Sequence, residues 1–85
     1  MPDFGVLVEV RLRPGIADPQ AATIERSLPH LGFDRVREVR VGKSIRFTVE
    51  ADDEVAARHE VEDMCKRFLA NPVIEDTVIT LERKA

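Results

Sequence analysis

Between Val36 and Glu50 apolar residues recur on every second position, and charges fill the gaps: Val39, Val41, Ile45, Phe47 and Val49 all carry odd numbers. That alternation predicts half-buried strand, one face dry and the other wet. The phase is kept across Gly42-Lys43-Ser44, which restricts how the chain can turn there. A two-residue hairpin loop on Gly42-Lys43 sets Val41 opposite Ser44 and turns Arg46 inward, so pattern and turn conflict. A three-residue loop from Gly42 to Ser44 pairs Val41 with Ile45 and Val39 with Phe47 and keeps one face apolar. One long strand that leaves its own subunit, with Lys43 near its middle, keeps the phase equally well. The sequence permits both.

Upstream, Phe4, Val6, Val8, Val10 and Leu12 alternate with Gly5, Leu7, Glu9, Arg11 and Arg13, a strand whose even positions face the core. Pro14-Gly15 ends it. Asp18-Pro19 predicts a helix start, because Asp caps free amides and Pro has no amide to lose at the first helical position. Ile24, Leu28 and Leu31 form the apolar stripe of this helix. Pro29 conflicts with the carbonyl of Glu25, so regular helix loosens near Leu28; the chain turns at Gly32, and Phe33 anchors the return. The acidic run Asp52, Asp53 and Glu54 opens a second helix, closed by Lys66, Arg67 and then Asn71-Pro72, with Ala57, Val61, Met64, Cys65, Phe68 and Leu69 as its stripe. A last strand runs roughly from Ile74 to Arg83. This order predicts an α+β, ferredoxin-like βαββαβ sandwich, with an antiparallel sheet and both helices on one face. Leu7, Glu9, Arg11, Glu38, Arg40, Arg46, Thr48, Val78 and Thr80 then line a second, bare face, and Phe47 lies at the core centre opposite Val39 and beneath Phe68.

The 85 residues fit a single domain, 1–85, whose small core favours association, a homodimer or higher. Charged residues make up 34% and the net charge is −3, so neither a nucleic-acid footprint nor a basic membrane surface is indicated. No apolar run is long enough to span a bilayer, the N-terminus carries no leader pattern, and the single Cys65 has no disulfide partner, which together predict a cytoplasmic protein.

Candidate chemistry is sparse. His30 follows Pro29 at a helix end, and His59 has only Asp63 one turn away, too few ligands for a metal. Cys65 lies in an apolar stripe, where a thiol behaves as a small hydrophobe. Gly42-Lys43 lacks the other glycines and the following helix of a phosphate loop, although a loop-tip lysine suits an anion or a partner carboxylate. Glu75 and Asp76 are adjacent and so point to opposite faces of a strand, useless as a dyad and suited to a partner contact. No catalytic set, cofactor cradle or metal site emerges.

The run Asp18-Pro19-Gln20, the centre Val41-Gly42-Lys43, and Met64-Cys65 leading to Leu69-Ala70-Asn71-Pro72-Val73-Ile74-Glu75-Asp76 resemble the PurS family, small subunits of phosphoribosylformylglycinamidine synthase. The resemblance covers nearly the whole chain; Ala21, Pro29 and Thr77 depart from it. It implies a non-catalytic subunit in purine biosynthesis that joins a glutaminase subunit (PurQ type) to an ATP-dependent synthetase subunit (PurL type), so that ammonia from glutamine reaches formylglycinamide ribonucleotide. ATP and magnesium are then expected in the synthetase and no cofactor in this chain. Gly42, Lys43, Asn71, Glu75 and Asp76 are the candidate partner interface. The rival reading is an amino-acid-sensing regulatory domain using the Arg13 to Asp18 loop, which is poor in the converging polar groups that a zwitterion needs; an acylphosphatase-like enzyme lacks the free Asn that it requires.

Overall fold

A computed structural model describes residues 1–84, in the order β1 (Asp3–Leu12), α1 (Pro19–Ser27), β2 (Gly42–Glu50), α2 (Glu54–Met64) and β3 (Glu75–Arg83). β1 is the middle strand of an antiparallel sheet ordered β2-β1-β3. Its even positions build the core side: Val6 stands between Phe47 and Leu81, and Val8 between Ile45 and Ile79. Phe4, Val6, Val8 and Val10 are buried against Ala57, Val61 and Cys65 of the α2 arm, so the first strand and its phase stand as read. α2 starts where expected, with the Asp53 carboxylate accepting from the Ala56 N–H at 2.8 Å.

The α+β class and the antiparallel, ferredoxin-like order stand, with three strands among the described residues in place of four. The hairpin over Gly42 to Ser44 does not form. Those residues are themselves rungs of the ladder, which continues without a gap from Asp3 opposite Glu50 to Arg11 opposite Gly42. Residues 33–41 run on outside the sheet as an arm. Phe47 accordingly faces Val6, not Val39, and Glu38 and Arg40 do not belong to the second sheet face; Leu7, Glu9, Arg11, Arg46, Thr48, Val78 and Thr80 do.

Without an outer strand beneath it, α1 contributes nothing to the main core, and Ala21 is its one buried residue. Ile24, Leu31 and Phe33 are exposed, which corrects the expectation that helix one covers the sheet and that Phe33 anchors the return. The local reading of the helix end holds: a 3₁₀ turn over Leu28–Leu31 follows the helix, and Gly32 takes the left-handed conformation at φ 94°.

Phe68 is a second correction, being 87% exposed. From Cys65 to Leu69 the helix widens into a π turn, closed by the Ala70 N–H donating to the Cys65 carbonyl at 3.1 Å. The extra residue in that turn swings Phe68 to solvent and brings Leu69 and Ala70 onto the core instead.

Val61 and Phe68 therefore give opposite expectations. Val61→Ala, at 0% exposure, should cost about 1.5 to 3 kcal/mol from lost burial and the cavity left behind. Phe68→Ala should stay within about 0.5 kcal/mol, as surface changes do. Urea unfolding of both variants checks this, and a large loss at Phe68 would mean that the π turn packs inward.

Candidate functional site

The β1–β2 ladder and the start of β3 bring most of the expected interface residues to one end of the sheet. Arg11 lies between Gly42 and Asp76, and Val10 between Lys43 and Thr77. A groove of about 720 Å³ on this end is lined by Arg11, Arg40, Gly42, Lys43 and Asp76 over an apolar floor that includes Val41 and Val78. A smaller groove of about 280 Å³ adjoins it on the helix side, where Lys43 and Gly42 meet Glu75 and Asp18. Gly42, Lys43, Glu75 and Asp76 thus converge, with the two carboxylates on opposite faces of the sheet as adjacent strand residues must be.

Asn71 stands behind them. Its side-chain oxygen accepts from the Val73 N–H at 3.0 Å, its carbonyl accepts from the N–H of Ile74 and Glu75, and its own N–H donates to the Glu75 carboxylate at 2.7 Å. Such short-range bonds are what Asn offers a turn. Arg13 clamps this turn to the end of β1: its backbone N–H donates to the Ile74 carbonyl, its guanidinium to the Pro72 carbonyl at 2.6 Å, and its Nε lies 3.3 Å from the Asp76 carboxylate. The sequence offered no signal for that clamp, because Arg13 and Pro72 are 59 positions apart.

Gly42 is placed by sterics. It has no left-handed backbone; instead, a Cβ there would stand 2.6 Å from the Val10 carbonyl oxygen. Asp18, read as a helix cap, proves to serve two elements. One of its oxygens accepts from the Ala21 N–H at 3.0 Å and the other from the Val41 N–H at 3.1 Å. The Val41 bond, then the Ala21 bond, and more weakly the Arg40 charge hold its carboxyl below the ordinary value of 3.8, against a small opposing effect of burial. A depressed carboxylate stabilises the fold above that ordinary value, and the contribution is lost as the pH falls through the lowered one. At neutral pH the tie is complete.

Burial pushes the Cys65 thiol up, with Thr77 pulling the other way and Glu62 adding to the rise, so at neutral pH it is a protonated core side chain. His30 and His59 are exposed, and no group of three His, Cys, Asp or Glu side chains converges among the described residues. Among the described residues no helix is long and apolar enough to cross a membrane. The arrangement offers ion pairing and hydrogen bonding to another surface.

A model of the PurS family, described as phosphoribosylformylglycinamidine (FGAM) synthase, matches residues 5–83. Over 80 residues the chain is 43% identical to the phosphoribosylformylglycinamidine synthase subunit PurS of Methanocaldococcus jannaschii, covering 94% of this chain and 96% of that one. The corresponding subunit of Methanothermobacter thermautotrophicus is 45% identical over 78 residues, 92% of each chain. Among solved structures, a chain in the structure of PurLQS from Thermotoga maritima superposes with a TM-score of 0.88 at 35% identity, covering 96% of this chain and all (100%) of that one.

Gly42→Ala should shift or fray the end of the β1–β2 ladder, at a cost of about 1 to 3 kcal/mol typical of overpacking. Amide exchange resolved along the strands checks it: protection should fall at Lys43 and Val10, which face each other there, and persist near Val49. Unchanged protection with unchanged stability would show that the two backbones have room to separate.

Proposed function

The chain belongs to the PurS family of phosphoribosylformylglycinamidine synthase subunits, and on that premise we propose that it couples the synthase's active sites and carries no catalytic group itself. It joins a PurQ-type glutaminase subunit to a PurL-type synthetase subunit in purine biosynthesis, in the cytoplasm, so that ammonia released from glutamine reaches formylglycinamide ribonucleotide. ATP and magnesium belong to the synthetase. The observation that carries this reading is the whole-chain superposition on a chain of PurLQS at a TM-score of 0.88. The physical need is that ammonia released into water is diluted and protonated, whereas active sites held in fixed relation keep its effective concentration high.

Gly42, Lys43, Asn71, Glu75 and Asp76 form the contact surface in this reading. Lys43 presents charge at the rim, Asp76 stands there paired with Arg13, Gly42 lets the strands close, and Asn71 with Glu75 shapes the turn beside them. The amino-acid-sensing alternative draws no support from the loop that it would use, because Arg13 at its start is committed to Pro72 and Asp76. Self-association fits the same surface economy: Ile24 of α1, Leu31 of the 3₁₀ turn, and Phe33 and Val36 of the arm are all exposed.

Three outcomes are expected. Amidine formation with glutamine should collapse when this chain is omitted and survive with ammonium, and Lys43→Glu should fold normally yet weaken assembly, since a rim charge matters when a partner's charge faces it. Full glutamine-dependent activity in its absence would sink the coupling reading. Sedimentation at high micromolar concentration should show a dimer or larger species; a monomer would remove the oligomer.

A further inference from the structure

Asp18 divides its two carboxylate oxygens between elements that are far apart in sequence. Besides Ala21 at the start of α1, it holds the N–H of Val41, 23 positions on. Two turns further along the helix, Glu25 accepts from the Val39 N–H at 3.3 Å. Residues 39–41 have no strand partner, so alternate backbone N–H groups of the arm hang from α1 through two acidic side chains. Arg40 stands between those anchor points and Lys43 just beyond them. Among the described residues neither has an ion-pair partner, whereas two of the acids that line the same groove do, Glu9 with Arg11 and Asp76 with Arg13.

We propose that Asp18 is the positioning residue of this basic corner: by tying Val41 to α1 it sets where Arg40 and Lys43 stand, and those two cations receive a carboxylate-bearing surface on another subunit of the synthase. The inference rests on the coupling function proposed above and names the chemistry of the contact. It also carries a sign. Asp18 is itself an anion beside two cations, so if charge alone mattered, neutralising it would tighten the hold on a carboxylate surface. If position matters, neutralising it loosens that hold.

Asp18→Asn separates the two effects. Asn is as good a cap as Asp, so α1 should persist by circular dichroism. Its second terminal atom is an NH₂ group, a donor facing the Val41 donor, so amide-exchange protection should fall at Val41 and remain at Ala21. Affinity for the PurL-type and PurQ-type subunits should fall about tenfold, the scale of one lost hydrogen bond to a charged group. In an Arg40→Ala, Lys43→Ala background the same change should have no further effect on affinity, because the groups that it positions are gone. Asp18→Ser keeps one capping oxygen and lacks the second, and should repeat the result should the Asn variant lose helix. Affinity that is unchanged or tighter overturns the inference while leaving the coupling function intact. So does an effect of the Arg40 and Lys43 changes confined to self-association, which would assign the corner to a second copy of this chain. If the unaltered chain does not bind the other subunits at all, the coupling function fails and this inference with it.

Discussion

The ladder between β1 and β2 decides the shape of this molecule, and its last rung, Arg11 opposite Gly42, is where the decision is made. In a four-stranded sandwich the stretch around Gly42 leaves the sheet to make a hairpin. Here the backbone of Val10 comes so close that only a residue without a Cβ fits, and Gly42 stays in the sheet. Each residue added to a ladder satisfies backbone groups that a loop would leave to water, and the dry odd face of β2 continues as far as Ile45 in register with Val8. Turning at Gly42 would forfeit those rungs. The preceding residues have nowhere to go but outward.

From that follows the thinness of the structure, 52 × 29 × 14 Å along its principal axes. α2 and three strands share the main core, whereas α1 lies outside it, buries only Ala21 and is tied to the arm by polar contacts. The distinction matters energetically. Buried apolar area stabilises regardless of fine geometry, whereas a hydrogen bond donated by a backbone N–H to a carboxylate depends on placement to within a few tenths of an ångström. α1 and its arm are therefore the part of the chain whose position is most easily altered, and the basic corner lies where arm meets sheet.

Much of this was legible residue by residue. The even phase of β1, the Asp18-Pro19 helix start, the loosening at Pro29 with the turn at Gly32, and the opening of α2 after the acidic run all rest on local chemistry, and all are present. What was not legible depends on contacts distant in sequence. The alternation through Val39 and Val41 is real, yet alternation states which side of a strand is dry and not which chain supplies the neighbour. Phe68 obeys a 3.6-residue stripe that the helix abandons three residues before it. Of the interface residues, Gly42 and Lys43 were conspicuous because they interrupt a pattern, and Glu75 and Asp76 because they open a strand. Arg13 and the second role of Asp18 have no local signature, since each is defined by a partner more than twenty positions away.

The net charge of −3 also gives a poor account of the surface that this chain presents. Asp18, Glu25, Asp53 and Glu75 each accept from backbone N–H groups, so part of the acidic excess is internal equipment that closes helix starts, the arm and the turn before β3. Arginine and lysine cannot do that work for an N–H donor, because they have no acceptor to offer. Consequently the acids are drawn inward to the backbone, while Arg40 and Lys43 are left at the end of the sheet with no ion-pair partner among the described residues. An acidic protein thereby shows a basic corner, and a partner meeting that corner responds to the local pair of cations, because at physiological ionic strength charges farther off than about 8 Å are largely screened.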